Sequence, residues 1–221
     1  MKILAIDTAT EACSAAVLHG ESLLERYALA PRRHAELILP MVDALLAESG
    51  LKLTDLDALA FGRGPGAFTG VRIATGVIQG LAYGAGLPVL PVSTLAALAQ
   101  GGAGRAGYVI SAIDARMGEI YWCAYRTDDQ GLAVPLTDET VSTPEKLDVP
   151  GEHVYFGTGT GWKSYRRELT ELLGDKCTGY DGEAYPRAGN ILKLAVRDYR
   201  ERRAVPAEQA LPVYLRNRVT G

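Results

Sequence analysis

The sequence predicts a two-lobed α/β fold in which one β-β-β-α-β-α plan occurs twice, with the second copy trimmed. An apolar strand ending in an acid opens each copy: Ile6-Asp7-Thr8-Ala9-Thr10-Glu11 and, later, Ile113-Asp114-Ala115-Arg116-Met117-Gly118-Glu119. In both, a short turn follows and a second strand returns. The run Gly101-Gly102-Ala103-Gly104 reads as a flexible break between the copies. This divides the chain into residues 1–103 and 104–221, with the final segment free to pack back on the first lobe.

In chain order, residues 3–6 are a short apolar run punctuated by Asp7, as in a buried strand. Residues 13–18 and 22–28 read as two more strands joined by a turn at His19-Gly20. Residues 34–48 have helical spacing, with Leu37, Met41 and Leu45 on one face and Ile38, Val42 and Leu46 flanking it. Pro40 either kinks this helix or delays its regular part to about Leu39, and Gly50 is placed to end it. A strand at 57–61, a glycine-rich loop, a helix over 71–83, a strand at 88–92 and a short helix capped by Ser93 through Leu98 complete the first lobe.

The second lobe offers strands at 108–113 and 119–126, with a third at 133–136 or 139–141. A strand at 153–156 follows, then helices at 162–173 and 190–203. Trp162, Tyr165, Leu169 and Leu172 share a face of the first of these helices, with Gly174 as its stop; Ile191, Ala195 and Tyr199 share a face of the second. Duplicated lobes of this kind describe the actin/Hsp70/sugar-kinase (ribonuclease H-like) architecture, an analogy at the level of fold that does not fix function.

Composition narrows the classes. Apolar residues are 48% and charged residues 22% of the 221, with a net charge of −3, so no global attraction to nucleic acid is built in. No stretch approaches the ~20 apolar residues of a membrane helix. The apolar run at the N-terminus is too short for a signal peptide, and the cytoplasm is the expected compartment. Cys13, Cys123 and Cys177 lie far apart without CxxC spacing and read as core. Between Arg197 and Arg218, six arginines face three acids, a locally basic tail that suits RNA, an acidic partner or simply a helix C-terminus.

The segment 62–72 is the most informative. Gly64-Pro65-Gly66 cannot be ordinary strand or helix, and the loop runs straight into a helix N-terminus near Thr69, a place attractive to anions. The same residues also suit a plain tight β-to-α turn. A P-loop is excluded because the Gly-Lys-Ser/Thr ending is absent.

The helix that follows carries Gly76, Gly80 and Gly84 at four-residue spacing. Each costs about 1 kcal/mol against Ala in a helix interior, so something should offset them. Ile73, Val77 and Leu81 flank the stripe on the side expected to face the core; Arg72, Thr75, Gln79 and Tyr83 flank the other. The glycines either receive the 34–48 helix of the same chain or dock another chain. Leu37, Met41, Leu45, Arg72, Thr75, Gly76, Gln79, Gly80 and Tyr83 are the expected docking residues.

Catalytic candidates are poor. Asp7 stands where this fold binds phosphate and metal, but the turn Thr8-Ala9-Thr10 lacks the glycine that lets phosphate approach, and the turn after Asp114 has its glycine late. Asp7, Thr8, Thr10, Asp114, Gly157 and Gly159 therefore read as a vestigial nucleotide cleft. His19, His34 and His153 form no HxxxH or HExxH pair, and His34 reads as a surface or capping residue. No catalytic and no metal-binding residue is assigned.

The strings Ile6-Asp7-Thr8-Ala9-Thr10, Phe61-Gly62-Arg63-Gly64-Pro65-Gly66-Ala67-Phe68-Thr69-Gly70-Val71-Arg72, Asp114-Ala115-Arg116, Glu119-Ile120-Tyr121 and Pro212-Val213-Tyr214-Leu215-Arg216 together resemble the bacterial TsaB (YeaZ) family. The resemblance implies a non-catalytic subunit that pairs with the related catalytic subunit TsaD through helices of the N-terminal lobe, and that also forms homodimers. With the ATPase TsaE, the complex transfers threonylcarbamoyl from its adenylate to N6 of an adenosine in tRNAs reading codons that start with A. It implies no cofactor for this chain, ATP, Mg²⁺ and metal belonging to the partner subunits, and contact with tRNA through the complex. Two alternatives remain at this point: an active kinase or ATPase of the same fold, and an M22-type metalloprotease, a label the family has carried by homology.

Overall fold

In the computed structural model, which describes residues 1–216, β1 (Lys2–Asp7) is the middle strand of a five-stranded sheet in the order β3-β2-β1-β4-β5. Its residues 3–6 are wholly buried, as an apolar strand covered on both faces must be. β2 (Ala12–His19) returns antiparallel to β1, and β3 (Ser22–Leu29) pairs antiparallel with β2. The register His19↔Ser22 makes Gly20-Glu21 the hairpin loop, one residue later than expected, with Gly20 at φ 63°. β4 (Ala58–Gly62) and β5 (Val89–Val92) then add parallel strands beside β1.

Two helices cover one face of this sheet. α1 (His34–Ser49) is a single helix with Pro40 inside it, so its regular part does not wait for Leu39; Pro40 sits on its exposed side. Gly50 ends it in the left-handed conformation at φ 67°, donating to the Ala47 and Leu46 carbonyls. α2 (Phe68–Ala85) starts three residues earlier than its apolar period suggests and ends at left-handed Gly86. Ile38, Val42 and Leu45 of α1 and Ala74, Ile78 and Ala82 of α2 meet Leu4, Ile6, Leu59 and Phe61 in one core.

The opposite face of the sheet receives α6 (Ala188–Arg200). Its first N–H groups are met from the strands below: Ala188 N–H donates to Ser14 Oγ at 3.0 Å and Gly189 N–H to Glu25 Oε1 at 2.9 Å. Glu25 also takes the Arg187 guanidinium at 2.7 Å, and Arg187 lies over the Tyr27 ring at 4.3 Å. A carboxylate at a helix N-terminus with charge-assisted bonds is a strong anchor. It holds α6 to the first sheet. By compactness the chain groups Met1–Ala97 with Pro186–Val213, and Leu98–Tyr185 with the chain from Tyr214 on.

The second unit has a six-stranded sheet, β11-β10-β6-β7-β8 with β9 also on β7. Its members are β6 (Tyr108–Arg116), β7 (Glu119–Thr127), β8 (Ala133–Pro135), β9 (Thr140–Ser142), β10 (Tyr155–Thr158) and β11 (Cys177–Asp181). Both candidates for a third strand exist, and β11 was not foreseen. α3 (Thr94–Gly102) runs four residues past Leu98, so Gly101 and Gly102 end a helix rather than form a linker. The Ser93 cap holds: Ala96 N–H donates to Ser93 Oγ at 3.1 Å.

The expected 162–173 helix breaks at Tyr165 into α4 (Thr160–Ser164) and α5 (Arg166–Leu173). The break shifts the helical phase, so Leu173 is buried beside Trp162 and Leu169 while Leu172 is exposed. The two-sheet plan, each half opening on an antiparallel hairpin and continuing in parallel strands, is the actin/Hsp70/sugar-kinase architecture.

Candidate functional site

The first acid turn is closed by the chain's own glycine loop. Ala67 N–H donates to Ala9 O at 2.8 Å, and Thr8 Oγ1 donates to Gly70 O at 2.6 Å. A Cβ on Gly66 would overlap Ala9, one on Gly70 the Thr8 carbonyl, and one on Gly62 the Asp7 carboxyl. Three of the loop's glycines are thus required for backbone to lie on backbone. Asp7, Thr8 and Thr10 are brought together and all buried. The space over their turn, where a phosphate would approach, is filled by residues 62–70. At the start of α2 the Ala67 N–H is engaged by Ala9 O, while Phe68 and Thr69 are exposed.

Asp7 Oδ1 accepts from Ala9 N–H at 3.0 Å, while Oδ2 is buried without a partner. Burial pushes its carboxyl up to about 7, against the lowering effect of the Ala9 bond. Cys13 is pushed to about 11 by burial and by the neighbouring Asp7, so it stays an inert thiol.

The second acid turn is closed differently. β6 runs two residues past Asp114, and the register Arg116↔Glu119 leaves only Met117-Gly118 as the loop. Asp114 Oδ1 accepts from Arg116 N–H at 2.8 Å, and Oδ2 from Ser164 Oγ at 3.0 Å and Arg116 Nη1 at 3.2 Å. Gly157 and Gly159 are packing glycines: a Cβ would overlap the Trp162 ring at one and Leu98 and Ala112 O at the other. Among the described residues no group of three or more His, Cys, Asp or Glu side chains is placed to hold a metal.

The two helices offered as a docking surface divide sharply. Gly76, Gly80 and Gly84 are exposed, and a Cβ on any of them would meet nothing within 4 Å. They do not receive α1. Tyr83 is 85% exposed beside them, and Arg72 is exposed with its guanidinium 3.8 Å over the Phe68 ring.

Other expected members are buried or partly buried. Leu45 is fully buried in the core, because the buried stripe of α1 runs His34, Ile38, Val42, Leu45. Thr75 is 7% exposed, its hydroxyl donating to Val71 O at 2.9 Å. Gln79 is half-buried and donates to Ala210 O at 3.1 Å. Leu37 and Met41 are half-buried against the core. Ile73, Val77 and Leu81 flank the buried line of Val71, Ala74, Ile78 and Ala82 rather than forming it.

Phe68 and Leu39, both exposed large apolar residues on these helices, were missed. Phe68 lies four residues before Arg72, the spacing at which helix neighbours touch, and that was the available signal. His34 is not a surface residue: it is 8% exposed and its Nε2 has no partner.

Three of the tail's arginines are paired, two with acids of the tail itself. Asp198 pairs with Arg197 and Arg203, Glu201 with Arg203, and Glu119 with Arg216. Arg216 also donates to the carbonyls of Ala115 and Arg116. Arg218 lies outside the described residues. No helix among the described residues is long and apolar enough to cross a membrane.

Comparison with known proteins adds the following. A family model described as "TsaD: tRNA N6-adenosine threonylcarbamoyltransferase" matches residues 27–159. The chain is 46% identical over 228 residues to the tRNA threonylcarbamoyladenosine biosynthesis protein TsaB of Escherichia coli, across 99% of this chain and 96% of that one. It is 43% identical over 230 residues to the protein of the same name from Haemophilus influenzae, across 100% and 95% of the two chains. The solved structure of YeaZ from Pseudomonas aeruginosa superposes with a TM-score of 0.90 at 48% identity, covering 97% of this chain and 99% of that one.

Proposed function

The chain belongs to the TsaB (YeaZ) family of tRNA threonylcarbamoyladenosine biosynthesis proteins, and from that footing we propose that it is a non-catalytic subunit which docks a TsaD-like catalytic partner through the exposed face of α2. One observation carries the reading. Three glycines stand in a helix interior at about 1 kcal/mol each, and among the described residues nothing lies within 4 Å of where their Cβ atoms would stand. A second helix lying across them would use that space, with Arg72, Phe68 and Tyr83 as its rim, residue types favoured at interfaces.

The non-catalytic reading is supported by the first acid turn, on which the glycine loop lies, and by Asp114, whose carboxylate is held by Arg116 and Ser164. ATP, Mg²⁺ and any metal then belong to the TsaD-like and TsaE-like partners, and tRNA is met through the assembly. The same face would serve a homodimer when the partner is scarce. A cytoplasmic location follows from this role.

The test is co-purification with the TsaD-like protein and reconstitution of tRNA threonylcarbamoylation with and without this chain. Gly80→Leu should leave the fold intact, because its Cβ meets open space, and should abolish pairing and the stimulation of modification. Pairing that survives Gly80→Leu unchanged removes α2 as the docking face. A chain that turns over ATP with Mg²⁺ on its own removes the non-catalytic reading.

A further inference from the structure

Asp7 is a buried acid that the docking role does not use. It ends β1 with Oδ2 unpartnered, facing the side of Gly62 where a Cβ would stand; the Thr94 hydroxyl faces the same place. Thr94, the first residue of α3, clips the loop there: Gly64 N–H donates to Thr94 Oγ1 at 3.1 Å and Thr94 N–H to Gly64 O at 3.0 Å. Ionised, Oδ2 would be a buried charge without a donor, which a protein interior does not tolerate. Movement of the 62–66 segment would open that side of it to water or a donor.

We propose that Asp7 is a proton-operated latch, its neutral carboxylic acid allowing the glycine loop to close over the β1 turn and its ionisation favouring an open loop. The proposal concerns this chain alone and stands whether or not α2 is a docking face.

The groups around Asp7 leave it to titrate alone. β2 contributes Cys13, whose thiol stays neutral below about 11. β4 contributes Gly62, and α3 the hydroxyl of Thr94. The buried face of α6 is Ala188, Ile191, Leu192 and Ala195; of its charged residues Lys193 is exposed and Arg197 is paired with Asp198. On α2, Arg72 is exposed and turned to Phe68.

The sign follows from linkage. The closed state holds the Asp7 proton up to about pH 7, whereas a solvated aspartate loses it near 4. Closure is therefore fully favoured at acid pH, weakens by about tenfold per pH unit as pH rises between the two values, and levels off above the upper one.

Hydrogen exchange tests this on the full chain. The Gly64 and Ala67 amides, corrected for intrinsic rates, should lose protection by about tenfold per pH unit up to about pH 7 in the wild type and show no such loss in Asp7→Asn. Identical profiles overturn the proposal. Carbon-13 NMR of aspartate-labelled wild type decides independently should the variant not fold. One carboxyl titrating far above the others supports the latch, and all of them titrating near 4 overturns it.

Discussion

Two sets of glycines stand within a few turns of each other and mean opposite things. In the loop, Gly62, Gly66 and Gly70 are pressed against Asp7, Ala9 and Thr8, so that any side chain would overlap them. On the helix that the loop feeds, Gly76, Gly80 and Gly84 face open space, and a Cβ on any of them would meet nothing within 4 Å. The first set is explained by the fold of the chain; the second costs helix stability and is explained by nothing inside it. A glycine's meaning is thus read from what a Cβ would meet. In this chain the inward set lets the loop lie on the Asp7 turn, while the outward set leaves a helix face open.

The largest effect should come from breaking the inward set. Gly70→Ala drives a methyl into the Thr8 carbonyl, backbone against backbone, where no rotamer change relieves it. Overpacking of this kind should cost more than about 3 kcal/mol, seen as a drop in the urea midpoint or as failure to fold. A midpoint within error of the wild type would mean that the loop does not lie on the turn.

Much of this was legible in the sequence, for identifiable reasons. The strands around Asp7 could be read because their apolar runs are bounded by an acid and by Gly20, and the Ser93 cap and Gly50 stop are local signals. What escaped depends on contacts the local pattern does not carry. Leu45 passed for a surface residue because α1 is apolar on two adjoining faces, and only packing against Leu59 and Phe61 chooses between them. Thr75 looked like rim polarity, yet its hydroxyl is spent on its own helix. The helix break at Tyr165 moved Leu172 outward and Leu173 inward. That α6 lies on the first sheet could not be read locally, because its anchor, Glu25, lies more than half the chain away. The outward glycine stripe was visible by spacing alone, but not which neighbour it lacked.

The outward set should respond in the opposite direction and more gently. Replacing Gly76, Gly80 and Gly84 together by Ala should raise the stability of the isolated chain by about 2 kcal/mol, since each alanine removes backbone freedom from the unfolded state and meets no clash. The same triple variant should bind the TsaD-like partner more weakly, because three methyls keep a crossing helix at a distance. Denaturation and a binding isotherm on one preparation measure both. A variant that loses stability would show that the stripe is filled from within.

The smallest change sharpens where the outward face ends. Tyr83 is 85% exposed at the far end of the stripe, so Tyr83→Ala should alter stability by no more than about 0.5 kcal/mol. If the partner helix reaches that end, the tyrosine is a rim anchor, and its loss should weaken association by about tenfold, mostly through faster dissociation. If association is unchanged while Gly80→Leu still abolishes it, the crossing point lies nearer Arg72 and Phe68. The docking face is then the first half of α2, next to the loop that seals the acid turn.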